Sequence, residues 1–112
     1  MKKIEAIVRT TQFEVVRDAL ANMGVQFFTI KDVRGYGLQK GEHLKYRGSN
    51  LDKDYIPRVQ LDIVTTDEKA NEVIKTIEIA GKTGEVGDGK IFQFDVEAVV
   101  RIRTGERDQD AI

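Results

Sequence analysis

The spacing of apolar residues changes twice within the first third of the chain. Residues 1–9 are rich in β-formers and end at two threonines, which predicts a strand. The next apolar residues recur every three or four positions, as on one face of a helix: Phe13, Val16, Leu20 and Met23. Thr11 and Glu14 have capping-box spacing at the start of this helix, and Gly24 predicts its end. Residues 25–33 are again β-rich and predict a second strand.

The same order of elements returns after a long irregular segment. Residues 35–57 contain four glycines and no sustained period, which is typical of a functional or disordered insert. The next strand is predicted by alternation at Val59, Leu61 and Ile63. Thr65 and Glu68 repeat the capping-box spacing. A helical apolar stripe follows at Ala70, Val73, Ile74, Ile77 and Ala80. A glycine-rich turn, residues 83–90 (the glycine turn), then leads into a strand at 91–98.

This order of strands and helices predicts a ferredoxin-like α+β sandwich of βαββαβ order, in a single domain spanning residues 1–112. An antiparallel sheet would carry both helices on one face. The other face, with part of the alternation of Phe92, Phe94 and Val96, would then need a cover. Association with other copies of the chain would provide that cover.

Charge and composition narrow the class of protein. The 18 basic side chains nearly balance the 19 acidic ones, which argues against a nucleic-acid partner because such binding relies on clustered Lys and Arg. The apolar runs are too short for membrane insertion, and no secretion leader opens the chain. The absence of cysteine excludes disulfides and thiolate metal sites. We therefore expect a cytoplasmic protein.

The sequence Gly87-Asp88-Gly89-Lys90 is the first candidate for chemistry. Glycines let backbone N–H groups approach an anion closely, and the lysine adds a charge suited to phosphate. An ordinary turn explains the same spacing. A Walker A loop does not, because that motif needs a Ser or Thr after the lysine and then a helix, whereas a strand is predicted here.

Arg101-Ile102-Arg103 is the second candidate. In an extended chain both guanidiniums would share one face, where they could grip phosphate oxygens, while Ile102 packs opposite. A solvated edge strand that uses charge against aggregation is the alternative.

The long irregular segment is the third candidate. Residues 35–41 hold three glycines that suit a hinge, a turn or an anion-binding nest. The aromatic and charged residues farther along suit a partner-binding segment or a merely solvated loop. His43 is the only histidine and has no neighbours spaced as a metal set or a nucleophile–base pair, so we expect a protein that is not an enzyme.

Taken together, these clusters resemble the PII nitrogen-regulatory signal proteins. The most specific stretches are residues 83–92 and 101–106, and residues 39–41 and 46–48 also fall at the family's spacing. The resemblance runs essentially from the first residue to the last.

The resemblance implies a homotrimer that binds ATP or ADP in a cleft between subunits. The T-loop would span about 36–56, the B-loop about 82–90 and the C-loop about 102–112. Residues implied to surround the phosphates from one subunit are Gly87, Asp88, Gly89 and Lys90. Arg101 and Arg103 would reach the phosphates from the next subunit.

The remaining implied contacts concern adenosine and 2-oxoglutarate. The residues near adenosine would be Thr29, Asp62 and Val64, with Gly35 and Gly37 at the T-loop base. Binding of 2-oxoglutarate would require Mg-ATP, with Gln39 helping to hold the Mg²⁺ and Lys40 near the keto acid. The T-loop would then dock on an ammonium transporter or a nitrogen-assimilation enzyme.

The chain departs from the family pattern at several positions. Leu38 replaces an arginine that commonly touches the terminal phosphate, and Arg58 stands where a lysine usually meets 2-oxoglutarate. A planar guanidinium fork does not reproduce the geometry of an ammonium. Asp62 is one methylene shorter than the usual glutamate, and Leu51 replaces the tyrosine that many bacterial members uridylylate. Ser49 matches the position phosphorylated in cyanobacterial members.

Two alternatives stay open beside a nucleotide-gated regulator. One is a PII-like relative that has changed its effector or partner, an alternative suggested by the departures at Leu38 and Arg58. The other is a small ferredoxin-like enzyme that uses the same cleft.

Overall fold

The computed structural model describes residues 1–37 and 55–112. Its strands and helices are, in chain order, β1 (Lys2–Arg9), α1 (Phe13–Asn22), β2 (Thr29–Tyr36), β3 (Tyr55–Thr65), α2 (Asp67–Gly81) and β4 (Gly89–Asp95). Short 3₁₀ helices lie at Thr10–Gln12 and Asp108–Ala111. The four strands form one sheet in the order β2-β3-β1-β4, and each neighbouring pair is antiparallel. The predicted α+β sandwich of βαββαβ order is confirmed.

The core lies between one face of this sheet and the two helices. Alternate residues of β1 and β3 point towards the helices because the side chains of a strand alternate between faces. The buried apolar side chains are Ile4, Ala6, Val8, Val16, Leu20, Val59, Leu61, Ile63, Ala70, Val73 and Ile77. The stripes predicted for both helices therefore face the core.

The opposite side of the sheet, which we call the open sheet face, is covered by neither α1 nor α2. Glu5 lies beside Asp62 on one side and Phe92 on the other. Phe92 and Phe94 are 41% and 47% exposed there, although phenylalanine is usually buried. The prediction that the Phe92–Phe94 alternation faces away from the helices is confirmed, and the single chain leaves it uncovered.

The strand boundaries differ from those predicted. β2 begins at Thr29, not at residue 25, and Phe27 in the segment before it is 87% exposed. β3 is longer than its apolar alternation, because its first residues pair with β2. β4 spans Gly89–Asp95, so it starts two residues before and ends three residues before the bounds predicted for this strand, 91–98.

Both predicted capping boxes are wrong. Thr11 lies within the 3₁₀ helix, so α1 starts after Gln12 and has no side-chain cap. Thr65 is the last residue of β3, where it is buried, and α2 starts after Thr66, also without a side-chain cap. Asp67 and Glu68 in the first turn of α2 supply negative charge to the helix N-terminus instead.

The predicted end of α1 is confirmed. Gly24 has φ of 98°, a left-handed conformation that glycine adopts without steric cost. The N–H groups of Gly24 and Val25 donate to carbonyls in the last turn of the helix, at 3.1 and 3.0 Å.

Candidate functional site

The glycine turn connects α2 to β4 and has a backbone that requires glycine. Gly84, Gly87 and Gly89 all have positive φ. Gly89 also lies directly against β1, since a Cβ placed on it would come within 1.7 Å of the Ile7 carbonyl oxygen. The turn is therefore pinned to the end of β1 at Val8, the partner of Gly89 in the strand register.

Asp88 organises this turn from inside. Its carboxylate accepts hydrogen bonds from the Thr83 hydroxyl and from the backbone N–H groups of Thr83 (2.8 Å) and Gly84 (2.9 Å). Arg9 Nε donates to the same carboxylate at 2.9 Å. The hydrogen bond from the Thr83 hydroxyl, with those from Arg9 and the backbone, holds the pKa of Asp88 well below its ordinary value. The Asp88 carboxylate thus stabilises the turn.

Lys90 follows at the start of β4 with an exposed side chain. It lies opposite Ile7 and therefore belongs to the open sheet face. A cavity of about 390 Å³ adjoins the turn, with Lys90, Gly89 and Asp88 in its wall and the end of α2 opposite them. The four residues predicted to surround phosphates are contiguous at this end of the sheet.

The hairpin of β2 and β3 brings the base of the long loop to the same end. Gly35 lies opposite Ile56, and Tyr36 opposite Tyr55, with the two tyrosine rings 5.4 Å apart between centroids. Gly37 is the last described residue before the gap. Arg58 lies next to Arg9 in the register, so it too belongs to the glycine-turn end.

The residues predicted to lie near adenosine meet at the other end of the sheet. Thr29 and Asp62 are cross-strand partners, and Val64 follows on the same face. All three line a cavity of about 370 Å³ whose remaining wall is apolar: Phe27, Phe28, Val99, Ala111 and Ile112. A mostly apolar pocket with a few polar groups is typical of a small-molecule site.

Asp62 is held by two neighbours on the open sheet face. Gln60 Nε2 donates to one carboxylate oxygen at 3.1 Å, and Lys31 Nζ lies 3.2 Å from the other. Burial raises the pKa of Asp62, but the hydrogen bonds from Gln60 and Lys31 outweigh it and leave the pKa below its ordinary value. The carboxylate is therefore charged at neutral pH and accepts hydrogen bonds only.

Arg101 and Arg103 lie in a turn, so the prediction of an extended pair is wrong. The Gly105 N–H donates to the Arg101 carbonyl at 2.8 Å, which closes the turn, and Ile102 is 98% exposed instead of packed. Arg101 donates to Glu106 Oε1 at 2.6 Å. Val99, just before this turn, and Ala111 and Ile112, after it, line the cavity at Asp62. The segment that carries both arginines therefore starts and ends beside that cavity.

The site residues thus fall into two groups on one chain. Gly89 pairs with Val8 on one side of β1, whereas Val64 pairs on the other side with Lys3, five residues before Val8. At about 3.4 Å per residue and about 4.8 Å per strand, Gly89 and Val64 are roughly 20 Å apart, and Lys90 and Asp62 are roughly 12 Å apart. A second copy of the chain could bring one group to the other.

Several predicted residues lie outside the described chain. Gln39 and Lys40, with the Mg²⁺ and 2-oxoglutarate roles implied for them, belong to the gap, as do Leu38, Ser49 and Leu51. Among the described residues, no cluster of three or more histidine and carboxylate side chains could hold a metal ion. Nor does that part of the chain contain a helix long and apolar enough to cross a membrane.

Sequence reasoning missed Arg9 and Thr83, the two side chains that hold Asp88. From the sequence, Arg9 is predicted only to end a strand, and Thr83 only to begin the glycine turn. Alternation along β1 offered one signal, since it places the Arg9 side chain on the opposite face of the sheet from the buried Val8. Its partner Asp88 is 79 residues away and has no local signal.

Comparisons with known proteins agree with one another. The family model described as "Nitrogen regulatory protein P-II" matches residues 1–106. Nitrogen regulatory protein P-II of Pasteurella multocida is 47% identical over 112 residues, covering 100% of both chains. Nitrogen regulatory protein P-II 1 of Escherichia coli K12 is 46% identical with the same coverage.

A solved structure matches as well. The crystal structure of Arabidopsis thaliana PII bound to citrate has a TM-score of 0.82 and 37% sequence identity. The match covers 99% of this chain and 91% of the plant chain. The two bacterial relatives are both named as regulatory proteins.

Proposed function

The chain belongs to the nitrogen regulatory protein P-II family, and from this membership we propose that it is a nitrogen-status signal transducer that binds ATP or ADP between the subunits of a homotrimer. The observation that carries the proposal is the division of the predicted nucleotide residues into two groups that are separated on one sheet. Phosphates would meet the glycine turn and Lys90 of one subunit, together with Arg101 and Arg103 of the next. Adenosine would enter the cavity at Thr29, Asp62 and Val64.

The open sheet face supports association of the chain with itself. Phe92 and Phe94 are large apolar side chains that the helices do not cover, and burying the exposed half of each would contribute roughly 1 kcal/mol. Lys3, 5.8 Å from the Phe94 ring centroid, and Glu5 surround them with polar groups. A mixed surface of this kind suits a packed interface between folded subunits.

The effector and the partner belong to the same proposal. With Mg-ATP bound, 2-oxoglutarate would bind near Gln39, Lys40 and Arg58, with Gln39 helping to hold the Mg²⁺. The long loop, about 36–56, would then favour one arrangement and so control an ammonium transporter or a nitrogen-assimilation enzyme. A ligand selects among loop conformations only as far as its affinity differs between them.

Isothermal titration calorimetry tests this function. ATP should bind the purified protein, and 2-oxoglutarate should release heat only when Mg-ATP is already present. Binding of ATP without a response to 2-oxoglutarate would favour a P-II relative with a changed effector, to which the Arg58 departure points. Absence of both ATP and ADP binding would overturn the nucleotide proposal, and sustained nucleotide turnover would indicate an enzyme.

A further inference from the structure

We propose that Arg9 is a positioning residue for the glycine turn, fixing it together with Asp88 in the shape that meets nucleotide phosphates. This inference rests on the proposed nucleotide binding. Arg9 is the last residue of β1, and its side chain is 24% exposed. It is therefore anchored in the sheet while its guanidinium reaches the turn.

Two donors of the guanidinium hold two different parts of the turn. Nε donates to Asp88 Oδ1 at 2.9 Å, and a terminal nitrogen donates to the Val86 carbonyl at 2.6 Å. A guanidinium presents its donors in a rigid fork, so both contacts are made in one orientation. Lysine has one nitrogen at its end and cannot reproduce this fork.

Asp88 has no acceptor capacity left for a ligand. An ionised carboxylate offers about four acceptor positions. Oδ1 accepts from Arg9 and from the Thr83 hydroxyl, while Oδ2 accepts from the N–H groups of Thr83 and Gly84. Asp88 therefore acts on a phosphate or a metal ion only through the turn that it holds.

The contact with Val86 sets the direction of the next N–H group. No peptide bond in the described chain is cis, and in a trans peptide the C=O and N–H point in opposite directions. Because Arg9 draws the Val86 carbonyl towards itself, the Gly87 N–H points away from Arg9. The turn thus presents a donor, and not a repelling carbonyl oxygen, on its outer side, where an anion would bind.

A double-mutant cycle measured by calorimetry tests this inference. Arg9→Met and Asp88→Asn should each weaken ATP binding about tenfold, because each loosens the same turn. The double variant should lose no more than about tenfold in total, since residues that act as a unit are not additive. Losses that multiply to about a hundredfold would mean that Arg9 and Asp88 act independently of each other, which would overturn the positioning role. Arg9→Lys should recover only part of the affinity.

A second measurement decides the inference without any nucleotide. In amide hydrogen exchange, Arg9→Met should speed exchange at Thr83 and Gly84 and leave the core strands unchanged. Arg17→Met, which removes an exposed arginine of α1 paired with Asp18, is the matched control and should alter neither exchange nor affinity. Unchanged exchange at Thr83 and Gly84 would overturn the role of Arg9. Failure of the unsubstituted protein to bind ATP would overturn the proposed function alone.

Discussion

At the scale of single residues, the glycine turn combines a candidate ligand site with strict backbone requirements. Gly89 has φ of 105°, and a Cβ there would lie 1.7 Å from the Ile7 carbonyl oxygen. Only a shift of β4 away from β1 would relieve such a contact. The same glycine could serve phosphate binding, but its conformation is already explained by the fold.

Gly89→Ala should therefore destabilise the protein whether or not a nucleotide is present. We expect the free energy of unfolding to fall by about 3 kcal/mol, from strained φ and the clash with β1. Gly81→Ala is the matched control, because a Cβ there would make ordinary contacts of 3.6 Å with Val8 and Val16. Urea unfolding of both variants measures the difference, and equal stabilities would contradict the tight approach of Gly89 to β1.

Asp88 should remain ionised in acid that protonates an ordinary aspartate. Its pKa is lowered in the folded chain, so the stabilisation from its contacts is complete above the ordinary value of about 3.9 and is lost as the pH falls below it. In an NMR titration, the amide resonances of Thr83 and Gly84 should keep their neutral-pH positions through about pH 4. The stability difference between the wild type and Asp88→Asn should shrink as the pH falls further. Resonances with a midpoint near pH 4 would contradict the network.

The residue types in the site were predictable, but their contacts were not. Gly87, Gly89 and Lys90 stand out in the sequence because glycine and lysine have recognisable roles near anions. The partner of Asp88 is Arg9, which is distant in sequence and carries no motif of its own. Only the pairing of β1 with β4 brings the two together.

At the scale of elements, the spacing of apolar residues correctly predicted the strands and helices, whereas the short capping motifs predicted the wrong helix starts. Thr11 and Glu14 have the right spacing, but a 3₁₀ turn takes up Thr11 before α1 begins. The apolar stripe of α2 is read over many residues and tolerates such local errors. A motif of two residues has no such redundancy. The prediction of an extended arginine pair at 101–103 was wrong for the same reason.

Thr11→Ala should have little effect on stability, because Thr11 caps no helix. We expect a change within about 0.5 kcal/mol, against about 1 kcal/mol for loss of a true N-cap. Leu20→Ala, in the buried stripe of the same helix, should cost about 2–5 kcal/mol and shows that the assay detects damage to α1. Urea unfolding compares the two. A loss near 1 kcal/mol for Thr11→Ala would indicate a capping bond in solution.

At the scale of the whole molecule, one chain carries both groups of predicted nucleotide residues but holds them roughly 12–20 Å apart. The sheet order explains why: β4 and β2 are the two edge strands, with β1 and β3 between them. Sequence spacing could not show this, since Asp62 and Lys90 both belong to strands that simply alternate. The proposed trimer would bring the first group of one copy to the second group of the next.

Mixing two variants tests whether neighbouring subunits share one site. Lys90→Ala and Arg103→Ala each remove an exposed cation, so both should preserve the trimer. Each loss of a charge-assisted contact should weaken ATP binding about ten- to a hundredfold, corresponding to roughly 1.5–3 kcal/mol.

When the two variants are unfolded together and reassembled, some clefts receive an intact Lys90 from one subunit and an intact Arg103 from the next. Those clefts should bind ATP with near-native affinity, and calorimetry should resolve them from the weak sites. Mixing either variant with itself provides the control and should restore nothing. Light scattering must show that mixed trimers of native mass have formed. Every subunit in the mixture lacks one of the two residues, so only a cleft built by two chains can contain both. Mixed trimers without tight sites would exclude a shared cleft at Lys90 and Arg103.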